Sequence, residues 1–305
     1  MEYLCRQIAK KMMKEWYYKV AGHVFSVAGD DQEYDFSELK AYEPFMTEAT
    51  DQVIFRLHIT TSVTQREDFC EEMTQKDEGQ EIVVGHLSST DEPCFVFWLG
   101  KKLSAVLVTN KEFNEGEVSI ISAPHFGLNN AAMILYALST ANQNTALFHS
   151  SVVSCDGRAY MFLGESGTGK STHSALWLKY IKGTELVNDD NPVVRILDNQ
   201  EVRVYGSPWS GKTPCYRNVD YPLGGLVNLA QAPHNQIRRQ RDLEAYVSLV
   251  PSISGMRWNK QMAGGLHDTE NLLAQLVPVW HLDCLPDEGA ALLCHQTIAD
   301  GDHND

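Results

Sequence analysis

The chain has 305 residues and a formal charge of −15, with the 43% hydrophobic and 21% charged shares of an ordinary globular protein. Its length holds one large domain or two modest ones. The acidic balance sets aside nonspecific nucleic-acid binding, which needs clustered Lys and Arg, but leaves room for a nucleotide site built from backbone N–H groups.

The opening stretch, MEYLCRQIAKKMMKEW, carries charges through its apolar positions and does not read as a secretory signal. No run approaches the roughly 20 apolar residues that span a bilayer, so no membrane partner is expected. The seven cysteines are scattered, odd in number and without a C-x-x-C pair. They read as reduced thiols of a cytoplasmic protein, and their spacing suggests neither a disulfide framework nor a zinc site.

Up to Ala123 the chain is rich in β-branched and aromatic runs: YYKVAGHVFSV, VIFRLHITT, EIVVGHL, CFVFWLG, SAVLVTN and EVSIISA. Acidic or turn-rich segments such as AGDDQEYD and SSTDEP separate them, and the pattern predicts an antiparallel meander. His58 and His86 fall inside these runs and read as packed or half-exposed strand residues. The alanine- and leucine-rich LNNAAMILYALSTAN, 128–142, predicts a helix and places a domain boundary near 123–127. The expected organisation is a strand-rich domain over 1–124 and a second domain over 125–305.

Strands and helices then alternate. TALFHSSVVSC and RAYMFLG flank an Asp156-Gly157 hairpin turn, and TELVND, PVVRIL and EVRVYG follow as strands. PLGGLVNLA and VPVWHLDCL are later strands, while DLEAYVSLV, NLLAQLV and EGAALLCHQTIA are helices. The fold class is α/β with an α+β admixture.

Between RAYMFLG and the next helix stands Gly164-Glu165-Ser166-Gly167-Thr168-Gly169-Lys170-Ser171, which satisfies G-x-x-x-x-G-K-[ST] and is followed by Thr172. Glycines let the backbone curl so that successive N–H groups face phosphate oxygens, and the helix that follows adds its positive end. Lys170 is placed to reach the terminal phosphates, and the Ser171 hydroxyl to ligate Mg²⁺. The segment Gly164–Thr172 is therefore a candidate site for ATP or GTP with Mg²⁺. Asp189 and Asp190 in ELVNDDNPVV end an apolar run downstream. One carboxylate suits Mg²⁺ and the other a hydroxyl proton, although the same string also suits an Asx turn. His149 lies on the strand before the hairpin, where a histidine is by itself usually packed.

LFHSSVVSCDGRAYMFLGESGTGKST followed by LVNDD is similar to the HPr kinase/phosphorylase family, whose nucleotide-binding core is shared with the phosphoenolpyruvate carboxykinases. The resemblance covers roughly Thr145 to Ala299 and includes PLGGLVNLAQAP and VPVWHLDCLPDEGA. It implies a P-loop kinase core of that type, transferring phosphoryl from ATP to an unidentified hydroxyl acceptor, in a family whose members often form homo-oligomers. It also implies that His149 is the active-site histidine and that the Asp189–Asp190 pair contains the catalytic base. Asp189 is favoured as that base and Asp190, with Ser171, as metal ligand. In place of the glycine-rich segment by which HPr kinases recognise HPr stands YGSPWSGKTPCYRN, so HPr is not the implied substrate. Lys212 and Arg217 in that loop are either a second cationic arm toward phosphate or acceptor, or ordinary surface charges. The alternatives to a kinase are a carboxykinase-like enzyme acting on a small carboxylate and a non-catalytic nucleotide-gated binding module.

Overall fold

The computed structural model describes residues 13–30, 34, 36–60, 68–77, 79–211, 213–257 and 259–300. It is a mixed α/β chain in two compact units, Met1–Ser139 and Thr140–Asp305.

Within its described residues the first unit is an eight-stranded sheet of order β1-β2-β3-β8-β7-β6-β5-β4. Its strands are β1 (Met13–Val20), β2 (His23–Asp30), β3 (Arg56–Thr60), β4 (Phe69–Asp77), β5 (Gln80–Leu87), β6 (Pro93–Leu99), β7 (Lys102–Thr109) and β8 (Glu115–Ile120). The expected antiparallel meander holds from β4 to β8 and for the β1–β2 hairpin; β3 breaks it by pairing parallel with both β2 and β8. Strand composition says little about which strands become neighbours, and parallel neighbours need long connections. Here one connection includes the 3-10 segment Phe36–Phe45. Strand β4 is an edge without an apolar run, and its Glu72 and Lys76 pair with His86 and Glu81 of β5. His58 and His86 are partly exposed and face the carboxylates of Glu115 and Glu72 at 3.6 and 2.7 Å.

Helix α1 (Pro124–Thr140) packs on this sheet. A Cβ on Gly127 would lie 2.6 Å from Ala105 Cβ, so only glycine allows the helix this close to β7. Tyr136 also donates to Val20 O at 3.0 Å. These contacts put nearly all of α1 in the first unit, and the division falls at its last residue, whereas the composition change lies before the helix.

The second unit contains β9 (Thr145–Leu147), β10 (Ser150–Cys155), β11 (Arg158–Leu163), α2 (Lys170–Tyr180), β12 (Glu185–Asp190), β13 (Val193–Ile196), β14 (Val202–Tyr205) and β15 (Asp220–Gln231). Then come β16 (Gln236–Gln240), α3 (Asp242–Leu249), α4 (Lys260–Leu276), β17 (Val279–Cys284) and α5 (Glu288–Asp300). The sheet runs β12-β10-β11-β15-β14-β13-β9, with β17 between β15 and β16. Strand β16, QIRRQ, is too polar for a composition-based assignment and pairs on β17 at the margin. Strand β15 serves two ladders: its start pairs with β14, and its later half runs parallel between β11 and β17. Strand β10 is antiparallel to both of its neighbours, β11 and β12, so those two run parallel and end on the same edge.

Under α2 and α5 the core gathers Val153, Tyr160, Phe162, Trp177, Val227, Leu282 and Ala291. Trp177 is 1% exposed or less, and truncating such a side chain to alanine costs about 3–5 kcal/mol. An ion pair between exposed Arg257 and buried Glu270, 2.6 Å apart, ties α4 to the segment before it, and Glu270 accepts from Tyr246 at 3.1 Å. His173 is buried beside Trp177, whose indole N–H donates to His173 Nε2 at 3.1 Å. Burial lowers its pKa from 6.5 to about 4, so the ring is neutral at pH 7.

Between those two values the unfolded chain binds a proton that the folded chain refuses. The His173 contribution is complete above pH 6.5 and is lost as pH falls toward 4. Relative to a His173→Gln variant, wild-type stability should fall by about 2 kcal/mol between pH 7.5 and pH 5. Urea unfolding at the two pH values measures it; parallel curves for both proteins would refute the assignment.

Candidate active site

The turn after β11 is shaped by three glycines at positive φ: Gly164 at 143°, Gly167 at 83° and Gly169 at 108°. L-residues with side chains rarely adopt these angles, and a Cβ at Gly164 would also press Thr168 Oγ1 at 2.6 Å. Inside the turn Thr168 bonds Glu165 O through its amide at 3.2 Å and its hydroxyl at 2.8 Å. Gln231, at the end of β15, donates to Gly167 O at 3.0 Å and pins the turn to the neighbouring parallel strand.

Helix α2 starts from Gly169 with no side-chain cap and no acidic residue in its first turn. Its first helical bond is His173 N to Gly169 O at 2.8 Å, so its leading amides have no intrahelical acceptor. Lys170 folds back over the loop and donates to Gly164 O at 2.9 Å and Glu165 O at 3.2 Å. Ser171 and Thr172 are exposed on that first turn. The arrangement is a cup of amides and one ammonium, suited to phosphate oxygens.

Because β11 and β12 end on one edge, the aspartates arrive beside this loop. Ser151 of β10 lies opposite Asp189, and its hydroxyl is 2.6 Å from that of Ser174 on α2. Residues opposite one another in a ladder share a face, so Asp189 projects to the side where α2 packs. Asp189 is 7% exposed, and its Oδ1 has no hydrogen-bond partner among the described residues. Asp190 is half-buried, with His149 Nδ1 3.6 Å from its Oδ1. His149 is thus no packed strand residue: it stands just before β10, about 40% exposed, at the same edge.

After Asp190 the chain bends and runs on into β13, still antiparallel to the β9–β10 stretch, and the Asn188 side-chain Oδ1 accepts from the amides of Asp190 at 3.0 Å and Asn191 at 2.9 Å. Its amide nitrogen donates to Ser207 Oγ at 3.2 Å and Trp209 O at 3.3 Å. Ser207 in turn donates to Asn191 O at 2.6 Å. An Asx turn is formed here by Asn188, the residue before the aspartate pair, and it serves to hold that pair. Asn188 and Ser207 were not expected here; the Asn-Asp-Asp-Asn string carried that signal, since asparagine bonds amides two residues on.

The loop after β14 lies along β12. Ser210 pairs with Asp190, Cys215 Sγ is 3.4 Å from Val187 O, and Arg217 reaches Leu186 O at 2.6 Å and Glu185 at 2.7 Å. It covers an edge strand that would otherwise stand open. Arg217 is thereby engaged at the beginning of β12, about 10 Å of strand from Asp189, and is not brought to the glycine loop. Lys212 lies outside the described residues. A groove of about 670 Å³ lined by Arg239, Arg241, Tyr246 and His267 contains none of these residues.

No family model matches the chain, and no curated protein matches it. Among solved structures, the HPr(Ser) kinase/phosphatase from Coxiella burnetii aligns over 51% of this chain and 95% of its own, with 12% identity and a TM-score of 0.30. A likeness of that size carries no weight for function. The site's own geometry has to.

Replacing Asn188 with alanine should strip partners from two amides at the turn and from Ser207. Stability should fall by at least about 2 kcal/mol in urea unfolding. A change below about 0.5 kcal/mol, the level of an ordinary surface substitution, would show that the network does not hold the turn.

Proposed function

We propose that the chain is an ATP- or GTP-dependent kinase that transfers the terminal phosphoryl group to a hydroxyl of a protein, peptide or small molecule. One observation carries this reading. A glycine loop with Lys170 folded over it shares a sheet edge with a buried carboxylate, Asp189, whose Oδ1 has no hydrogen-bond partner among the described residues. A bare phosphate-binding module needs the loop alone.

Gly164–Thr172 bind the phosphates through backbone amides, and Lys170 exchanges its two carbonyl contacts for phosphate oxygens. Ser171 and Asp190 are the residues that would hold Mg²⁺, and the unpartnered carboxylate oxygen at this edge fits a site made for a cation and a transferable proton. Bound Mg²⁺ supplies neutralisation of the charge developing on the phosphoryl oxygens. Asp189 is assigned the base because its unshared Oδ1 is available to accept the acceptor's proton, whereas Asp190 already faces His149. His149 orients Asp190 across their 3.6 Å contact. With a loose transition state the remaining work is alignment. The rigid turn at Asn188 supplies it.

Lys170→Ala should weaken nucleotide binding by about 1.5–3 kcal/mol in calorimetry, the worth of a charge-assisted contact. Equal affinity would remove the phosphate assignment. In Asp189→Asn with Asp190→Asn, metal-free nucleotide should still bind while single-turnover phosphoryl transfer, or hydrolysis if no acceptor is found, falls about 10²–10⁴-fold. Asp190→Asn alone should weaken the Mg²⁺ complex more than the free nucleotide. Should the double variant turn over like wild type, the pair is not catalytic; tight binding without any turnover in wild type would instead identify a nucleotide sensor.

A further inference from the structure

At the other end of the same strands, the Asp156-Gly157 turn joins β10 to β11. Strand β11 has six residues, which puts this turn about 20 Å from the glycine loop. Three donor side chains of different chemistry converge there. Cys155 Sγ is 3.9 Å from His295 Nε2 on α5 and 3.7 Å from Asp156 Oδ2, and the three ligand atoms all lie within 4.8 Å of one another. Cys155 is 2% exposed, and the His295 ring stands edge-on to Trp177 with centroids 5.2 Å apart.

A thiol has one proton to give. Here it faces an imidazole nitrogen, a carboxylate oxygen and also Lys182 O at 4.0 Å. One proton serves one of these acceptors, whereas a cation between sulfur, nitrogen and oxygen serves all three side chains together. In a tetrahedral zinc site, bond lengths of about 2.3 Å to sulfur and 2.0 Å to nitrogen or oxygen place neighbouring donors roughly 3.5 Å apart. The two sulfur distances exceed that by only a few tenths of an ångström.

The geometry points to a zinc site formed by Cys155, Asp156 and His295. On binding, the Cys155 S–H bond breaks, its proton leaves to solvent and a Zn–S bond forms. His295 supplies the Nε2 lone pair, Asp156 one carboxylate oxygen, and water the fourth position. The mixed S, N, O set suits Zn²⁺ and disfavours Mg²⁺ and Ca²⁺, which take oxygen donors. The ion clamps α5 to the β10–β11 hairpin across a separation of 140 residues. That distance is why cysteine spacing carried no trace of it.

The test is zinc competition against a chromophoric chelator, using the full reduced chain freed of metal. Wild type should bind one zinc with submicromolar affinity. Cys155→Ser and His295→Gln should each weaken it by at least about 100-fold, and Asp156→Asn, in an exposed turn where folding is not at risk, by about 10-fold or more. Cobalt(II) should give a thiolate-to-metal absorption band in wild type that Cys155→Ser lacks. Lys170→Ala should keep full zinc affinity. The proposal is overturned if wild type holds no zinc, if the three variants bind as wild type does, if the cobalt band is missing, or if Lys170→Ala loses the metal.

Discussion

Among the described residues the buried Asp189 Oδ1 has no hydrogen-bond partner, and the bonds around it fix the strand end that carries it. Asp189 is 7% exposed, and burying a charged oxygen is tolerated only where a cation or a proton can come to it. Everything adjacent serves that end. Asn188 ties the turn, Ser207 and Trp209 brace Asn188, and Ser210-Gly211 lie across the aspartates. The bonded segment keeps Asp189 in this position.

The strand order then decides what the carboxylate meets. With β10 antiparallel between β11 and β12, the ends of β11 and β12 fall on one edge, and the parallel strand β15 ends there too, supplying Gln231. In open α/β sheets, the carboxyl ends of the strands are where ligands bind. Polar groups accumulate at this edge, while β10 and β11 are buried along nearly their whole length.

The two ends of these strands are chemically different. The loop end presents amides, an ammonium and carboxylates, which are hard groups suited to phosphate and its hard cation. The hairpin end presents a thiol and an imidazole packed against Trp177, which suit a softer ion. Between them lies the aromatic core of Tyr160, Phe162 and Trp177, with His173 kept neutral by burial. The core stands between the two clusters, which share no residue.

The sequence by itself determined what depends on neighbours along the chain. Gly164, Gly167, Gly169 and Lys170 announced their loop because its geometry is local: positive φ angles, a helix start and one cation within a few residues. The strand runs and the Asp156-Gly157 turn were legible for the same reason, as was the Asp189–Asp190 pair at a strand end. Tertiary structure decided the rest. Whether β3 pairs parallel or antiparallel depends on long connections, and the polar strands β4 and β16 form only because an apolar neighbour offers them a ladder. Arg217 read equally as a second cationic arm or an ordinary surface charge, and the covering of the β12 edge engages it with Glu185 and Leu186. His149 gained its meaning from Asp190, and Cys155 its surroundings from His295, because contacts between distant residues are set by packing and leave no spacing to read.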